Sequence, residues 1–385
     1  MLKISKPNIT ENDIREVVRV IESGELVQGQ VCAQFEEELS SYLAQGLFEK
    51  PQVALVSSGT AALHLALLSL NISTGDRVLV PNFTFPATIN AVHLVGAQPV
   101  IIDVCPRRYV VTPDIFAAAL DELISLHGEA PRALLLVHEF GCPVEMDVIL
   151  KIAERHGVYV IEDAACALGA SYMGQKVGAL GHVGCFSFHP RKTLTTGEGG
   201  LVVSRNPQII ERVRSLRSHG MLSRDGVVDF IEPGFNYRMT NFQAALGRLQ
   251  LQNLDSWILR RRELAHKYCG LIEKSSIASF ISLPVLVEGH SWQTFMIVVS
   301  GVVVADLIIR LRALGVETNI GAQVLTSIKY VKDHESHYVF DLDRPMSSRQ
   351  LTGCTMALPL CEQYSDREIE HVVRCLEHVF FELKA

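Results

Sequence analysis

The 385-residue sequence predicts an α/β protein: a three-layer αβα sandwich around a mostly parallel, mixed sheet, followed by a smaller C-terminal α/β domain. Three observations predict it. Short, fully apolar runs alternate with helical segments from Pro51 to Asp163, the pattern of a parallel sheet covered on both faces. Two later runs, Gly184–Phe188 and Gly200–Val203, have no full helix between them, so the sheet is expected to be mixed there. After about Leu254 the alternation stops. That change divides the chain into a large domain over residues 1–254, with N-terminal helices, and a small domain over residues 255–385.

The elements follow in order. Thr10-Glu-Asn-Asp13 opens a helix, with a capping Thr and an acidic residue three positions on. Ile14, Val17, Val18 and Ile21 recur at helical spacing, and Gly24 can end the helix. A second helix, from about Cys32 to Leu43, carries Phe35, Leu39 and Leu43 on one face. Strands are expected at Val53–Val56, Arg77–Val80, Pro99–Asp103, Ala133–Val137 and Val158–Asp163. Helices are expected between them at Ala61–Leu70, Ala87–Gly96, Asp114–His127 and Asp147–His156. In the small domain, Arg260–Arg262 is expected to end a long helix. A strand near Ser291–Val299, a helix near Asp306–Leu314 and a last helix capped by Ser365-Asp-Arg-Glu368 complete it.

Composition narrows the function classes. Hydrophobic residues make up 48% and charged residues 20%, which suits a well-buried globular chain and not a disordered one. The net charge of −7 and the lack of a basic patch argue against nucleic-acid binding. An anionic ligand must therefore be held by local groups. The nine cysteines are scattered, odd in number and without a Cys-x-x-Cys pair. Buried free thiols in a reducing compartment suit them better than disulfides or a zinc site, and no metal is expected. Residues Met1–Asn8 lack the apolar stretch of a signal peptide. The most apolar run, Phe295–Ala305, is far shorter than the ~20 residues a membrane helix needs. It is expected to be a buried strand leading into a helix. The expected setting is cytoplasmic, with no membrane partner.

Ligands of an open parallel sheet bind beyond the carboxyl ends of its strands, so the polar residues just after apolar runs are the informative ones. Ser57-Ser58-Gly59-Thr60 ends a strand and opens a helix, which makes either a phosphate cradle or a plain helix cap. Asp163 ends a strongly apolar strand, and either pairs with a cationic ligand group or caps the next helix. In Phe186-Ser187-Phe-His189-Pro-Arg191-Lys192, followed by Thr195-Thr-Gly-Glu-Gly-Gly200, the lysine is either a surface group or a nucleophile. Desolvation or nearby cations would favour the second, and Arg191 and His189 are close in sequence. Gly234-Phe-Asn236-Tyr237-Arg238-Met is either a ligand-binding segment or a capped loop. In combination these segments supply what a pyridoxal-phosphate site needs: a phosphate cradle, a carboxylate for the ring nitrogen and a lysine for the imine.

The same segments carry a resemblance. Ser58-Gly-Thr-Ala-Ala-Leu-His64, Pro81-Asn-Phe-Thr-Phe85-Pro-Ala-Thr88, Glu162-Asp-Ala-Ala165, Phe186–Lys192, Gly197-Glu-Gly-Gly200 and Asn236-Tyr-Arg-Met239 resemble the sugar aminotransferases of the DegT/StrS type. The likeness extends from the Ser23–Gly29 turn to Leu358-Pro-Leu360. It implies a fold-type-I pyridoxal-phosphate transferase that works on nucleotide-linked keto sugars. On the matching positions it implies that Lys192 carries pyridoxal 5'-phosphate as a Schiff base and that Asp163 pairs with the pyridinium nitrogen. It implies that Phe85 stacks on the ring and that Ser58, Gly59, Thr60 and Ser187 hold the phosphate. Asn236 would reach the phosphate of a neighbouring subunit, so a homodimer with shared active sites is implied. His189, Tyr237 and Arg238 are the candidate substrate contacts.

Two departures stand out. Many relatives have Gln where this chain has Cys166, beside the ring's phenolic oxygen, and Cys is a weak hydrogen-bond donor. The stretch Thr318–Ile328 resembles one that carries a substrate-facing His in some relatives, and here it has none. The reaction implied takes an amino group from an amino acid, glutamate in most relatives, and delivers it to a keto-deoxy sugar. Lys192 would move the proton as base and then acid. An aminotransferase for a keto-cyclitol and a non-catalytic cofactor-binding regulator are the alternatives. A related dehydratase branch has His in place of the lysine.

Overall fold

The computed structural model describes residues 1–224, 226–334, 339–340 and 346–384. Seven strands build the central sheet: β1 (Gln52–Val56), β2 (Arg77–Pro81), β3 (Gln98–Ile102), β4 (Ala133–Val137), β5 (Tyr159–Asp163), β6 (Val183–Ser187) and β7 (Gly200–Ser204). Their order is β1-β7-β6-β5-β4-β2-β3, and Val339–Phe340 adds a short parallel edge beside β3. Every pair is parallel except those of β7, which runs antiparallel to both β1 and β6. The sheet is thus mixed where the sequence predicts it, because the link from β6 to β7 is too short for a covering helix. Two-sided burial explains the continuous apolar runs: β4 and β7 are buried at every position.

The covering helices follow the sequence closely. α1 (Glu11–Ser23) starts with a capping box between Thr10 and Asp13 and ends on Gly24 at φ 72°. Its periodic apolar residues do not all find a core, however. Val20 is buried, while Ile14, Val18 and Ile21 are exposed. α2 (Gln30–Leu43) does bury Phe35, Leu39 and Leu43. α3 (Gly59–Ser69) is apolar all round and buried along nearly its whole length between sheet and neighbouring helices. One large apolar cluster lies on each face of the sheet.

A third cluster forms around Phe295–Val299, which pairs with Ile281–Ser282 and Thr355–Leu358. The long helix Leu254–Glu273 and the last helix Asp366–Lys384 pack on it. Arg260–Arg262 falls in the middle of that long helix and does not end it. Arg261 is buried there, ion-paired with Glu362 at 2.9 Å and donating to the Leu360 carbonyl at 3.1 Å. The segment after Thr318 turns back to the large sheet: Gln323–Val324 pairs with Phe83–Thr84, and Leu325 and Val331 join the core beside α3.

Candidate active site

The carboxyl ends of β1, β4, β5 and β6 meet at one cavity of about 490 Å³. Ser58, Gly59, Thr60, Phe85, Asp163, Cys166, Ser187, His189 and Lys192 all line it. Its size suits a cofactor together with a small substrate.

Strand β1 delivers the chain to the N-terminus of α3. Ser58 is extended, and its hydroxyl accepts the Ala61 amide at 3.1 Å. The amides of Gly59 and Thr60 donate to no group among the described residues, which leaves two N–H groups and a helix dipole facing the cavity. That is an anion site by construction. Close packing requires glycine here: a Cβ on Gly59 would lie 2.8 Å from Ser187 Cβ, and one on Gly200 would lie 2.4 Å from the Ser58 carbonyl oxygen. We expect Gly59→Ala to push Ser187 out of place and weaken cofactor binding about tenfold or more, the size of a typical overpacking penalty. Titration of cofactor absorbance or fluorescence measures it, and unchanged affinity would remove Gly59 from the cradle.

Asp163 closes β5 and is only 4% exposed. Its Oδ1 accepts the Ala165 amide at 3.1 Å and its Oδ2 the Thr88 hydroxyl at 2.9 Å. Burial raises its pKa, although Ala165, Thr88 and Lys192 favour the ionised form. The preceding residue, Glu162, points to the other face of the strand and serves the scaffold. It accepts His138 Nε2 at 2.8 Å and the amides of Gly178, Leu180 and Gly181 at 2.7, 2.8 and 2.6 Å. His138 Nδ1 accepts the Val144 amide, so its proton is on Nε2. Burial opposes ionisation of Glu162, but these donors outweigh it and hold its pKa below the ordinary value. The pair locks the ends of β4 and β5 together.

Lys192 follows β6 through a tight turn in which its amide donates to the His189 carbonyl at 2.8 Å. Its Nζ points into the cavity, 3.0 Å from Cys166 Sγ. Neighbouring cations do not activate it, contrary to what Arg191 and His189 suggested. Arg191 is exposed, and His189 turns its Nδ1 to the Arg191 amide at 3.2 Å. Burial lowers the Lys192 pKa, but Cys166, Glu139 and Asp163 outweigh burial and raise it above the ordinary value. The ammonium therefore faces an acidic set of groups. Burial in turn pushes the His189 pKa down.

Phe85 is 65% exposed and lines the cavity, so its face is open to a planar ligand. Asn236, Tyr237 and Arg238 do not line this cavity. Tyr237 stacks on Phe235 at 4.9 Å, and its hydroxyl is 3.3 Å from His64 Nδ1. Asn236 is exposed beside Ser218. Among the buried polar cavity residues absent from the candidate set are Thr84, Thr88, Gln293 and, the acidic one, Glu139, two residues beyond β4 and 4% exposed. For Glu139 the available signal was the same as for Asp163, an acidic residue just after an all-apolar strand.

An ammonium, a buried carboxylate, two free amides at a helix N-terminus and an open aromatic face in one cavity fit pyridoxal phosphate in charge and shape. The sequence profile of the DegT/DnrJ/EryC1/StrS aminotransferases matches residues 7–377. The chain belongs to this family. It is thus a pyridoxal-phosphate-dependent aminotransferase. Solved aminotransferase structures superpose over almost the whole chain. TlmJ from Streptoalloteichus hindustanus does so with a TM-score of 0.88 at 28% identity, covering 100% of both chains. Spr1654 from Streptococcus pneumoniae in its PMP form gives 0.87 at 25% identity, again covering 100% of both chains. An aminotransferase from Psychrobacter cryohalolentis gives 0.86 at 28% identity and covers 99% of each. No helix among the described residues is long and apolar enough to cross a membrane.

Proposed function

We propose that this aminotransferase moves an amino group from an amino acid, glutamate, to a nucleotide-linked keto-deoxy sugar. One observation carries the site assignment: Lys192, Asp163 and the N-terminus of α3 converge on a single cavity. The sugar class rests on the family and on the sugar aminotransferases among the superposed structures. When bound, the cofactor would supply an aldehyde carbon to form an imine with the amine, and an electron sink for the carbanion. The protein residues do the rest. The Gly59 and Thr60 amides, with Ser58 and Ser187, fix the phosphate. Asp163 holds a negative charge at the ring nitrogen, Phe85 covers one ring face, and Cys166 borders the ring. Lys192 tethers the cofactor and, once released, carries a proton at Nζ between substrate and cofactor carbons. His189 borders the substrate space.

The chain divides at about residue 254 into a large cofactor domain and a small domain. Two copies share their sites in a homodimer, and Asn236, Tyr237 and Arg238 serve the partner's cavity. The outward position of Asn236 supports this arrangement. So do the exposed apolar residues of α1 and of the ribbon Met221–Arg224 with Val227–Phe230.

The loaded enzyme, given glutamate and then a panel of nucleotide-linked keto sugars and keto-cyclitols, tests the substrate class. A spectral change with glutamate and mass-detected amination of a nucleotide sugar are expected. Amination of the cyclitols alone would replace the sugar, and no response to glutamate would favour a regulator.

A further inference from the structure

The peptide unit that joins Arg191 to Lys192 is held at both ends. Its N–H, on Lys192, donates to the His189 carbonyl at 2.8 Å within the turn. Its carbonyl, on Arg191, accepts from Gln293 Nε2 at 2.7 Å and, at the longer distance of 3.4 Å, from Ser5 Oγ. No other group among the described residues holds that carbonyl. A peptide unit is planar, so fixing both ends leaves the backbone little freedom at Lys192 and sets the direction in which its side chain leaves the turn. That direction carries Nζ into the cavity beside Cys166.

Gln293 is itself held firmly. It is 8% exposed and lines the cavity together with Thr294. The Thr294 hydroxyl donates to Gln293 Oε1 at 2.9 Å, which leaves Nε2 for Arg191. The opposite amide orientation would set Oε1 against the Arg191 carbonyl oxygen, and neither atom carries a proton. The backbone of Gln293 is anchored as well. Its N–H donates to the Phe140 carbonyl at 3.0 Å, and its carbonyl accepts from Arg261 Nη1 at 3.3 Å. Trp292, the residue before it, has φ 52° and stacks on His290 with ring centroids 3.9 Å apart. Left-handed backbone at so bulky a residue persists only where its surroundings impose it.

This support reaches the lysine turn from outside the large sheet. Gln293 leads into the strand Phe295–Val299, and Trp292 and Phe295 belong to the third apolar cluster. Ser5 lies in an N-terminal segment bound to the same region, where the Ile4 carbonyl accepts the Leu360 amide at 3.3 Å. We propose that Gln293 is a positioning residue. Through the Arg191 carbonyl it fixes the Lys192 turn, so that the placement of the lysine depends on how the unit around Phe295–Val299 seats against the large sheet. The proposal rests on the reading of Lys192 as the proton carrier. Lys192 serves both half-reactions, so a loosened turn slows both.

Gln293→Met and Thr294→Val, made in the full-length protein, test this. Met keeps the length and bulk of Gln and removes the donor. Val keeps the shape of Thr and removes the hydrogen bond that orients the Gln293 amide. In the cofactor-free protein, amide exchange over residues 189–193, read by mass spectrometry, should speed up by about two- to tenfold in Gln293→Met, the equivalent of one neutral hydrogen bond. Thr294→Val should show a smaller change in the same direction, and it carries the test if Gln293→Met does not fold. Exchange in Phe295–Val299 should stay as in the wild type. In the loaded protein, single-turnover rates with glutamate and with the keto substrate should both fall about tenfold to a hundredfold in Gln293→Met. KM should change far less than kcat, because the lost contact places the base and does not bind substrate. Exchange over residues 189–193 that matches the wild type in both variants overturns the proposal. So does acceleration that spreads through Phe295–Val299, which marks a merely structural role, and so does a raised KM with unchanged kcat, which marks a substrate contact. If the wild type forms no cofactor band, it is the assignment of Lys192 that fails, and the exchange rates alone decide whether Gln293 holds the turn.

Discussion

Replacing Lys192 by Ala should abolish turnover and leave nothing for borohydride to trap. The side chain has two tasks in the account, covalent tether and proton carrier. General acid–base catalysis alone is worth about 10²–10⁴-fold, and loss of the tether adds to that. A fall in kcat of at least about 10⁴-fold is expected. The fold should survive, because Lys192 makes a single side-chain hydrogen bond, to Cys166. Circular dichroism and an unchanged melting profile would confirm it. The variant should still bind the cofactor through the α3 cradle, only more weakly and reversibly. Retained trapping at another lysine would refute the role of Lys192.

Asp163→Asn should be the next most damaging change. It preserves shape and can still accept one hydrogen bond from Ala165 or Thr88, but it removes the charge opposite the ring nitrogen. Loss of one preorganised electrostatic partner costs on the order of 10²–10³-fold in kcat. KM for the keto substrate should change little if Asp163, buried at the cavity wall, has the proposed role at the ring nitrogen. The altered pH dependence of the cofactor absorbance gives a second readout. A variant that raised KM and left kcat intact would mean that Asp163 binds substrate instead.

The site was legible wherever one strand end supplied one role. Ser58–Thr60, Asp163 and Ser187–Lys192 each follow an apolar run, and parallel topology brings those ends to one edge. Glu139 follows β4 in the same way, but its place beside Asp163 and Lys192 depends on other strand ends and turns that come within reach. No local pattern contains that juxtaposition. Contiguity in sequence also hid the split at residues 236–238. Alternation along an extended segment turns Tyr237 inward to His64 and leaves Asn236 exposed.

The fold was legible in the same graded manner. Apolar runs and caps marked the strands and most helix starts. Arg260–Arg262 misled because charge reads as surface, whereas Arg261 is neutralised by Glu362 inside the packing of the long helix. The apolar stripe of α1 misled in the opposite sense: Ile14, Val18 and Ile21 are periodic yet exposed in the protomer. The return of Gln323–Val324 to Phe83–Thr84 depends on long-range pairing that two-residue strands do not announce.

The most direct test of the account is to reduce the pyridoxal-phosphate-loaded protein with borohydride, digest it and map the modified peptide by mass. A single phosphopyridoxyl group on Lys192 is expected, as is its loss when excess glutamate is added before the reduction. A label on any other residue, or a label on Lys192 that glutamate never displaces, would contradict it.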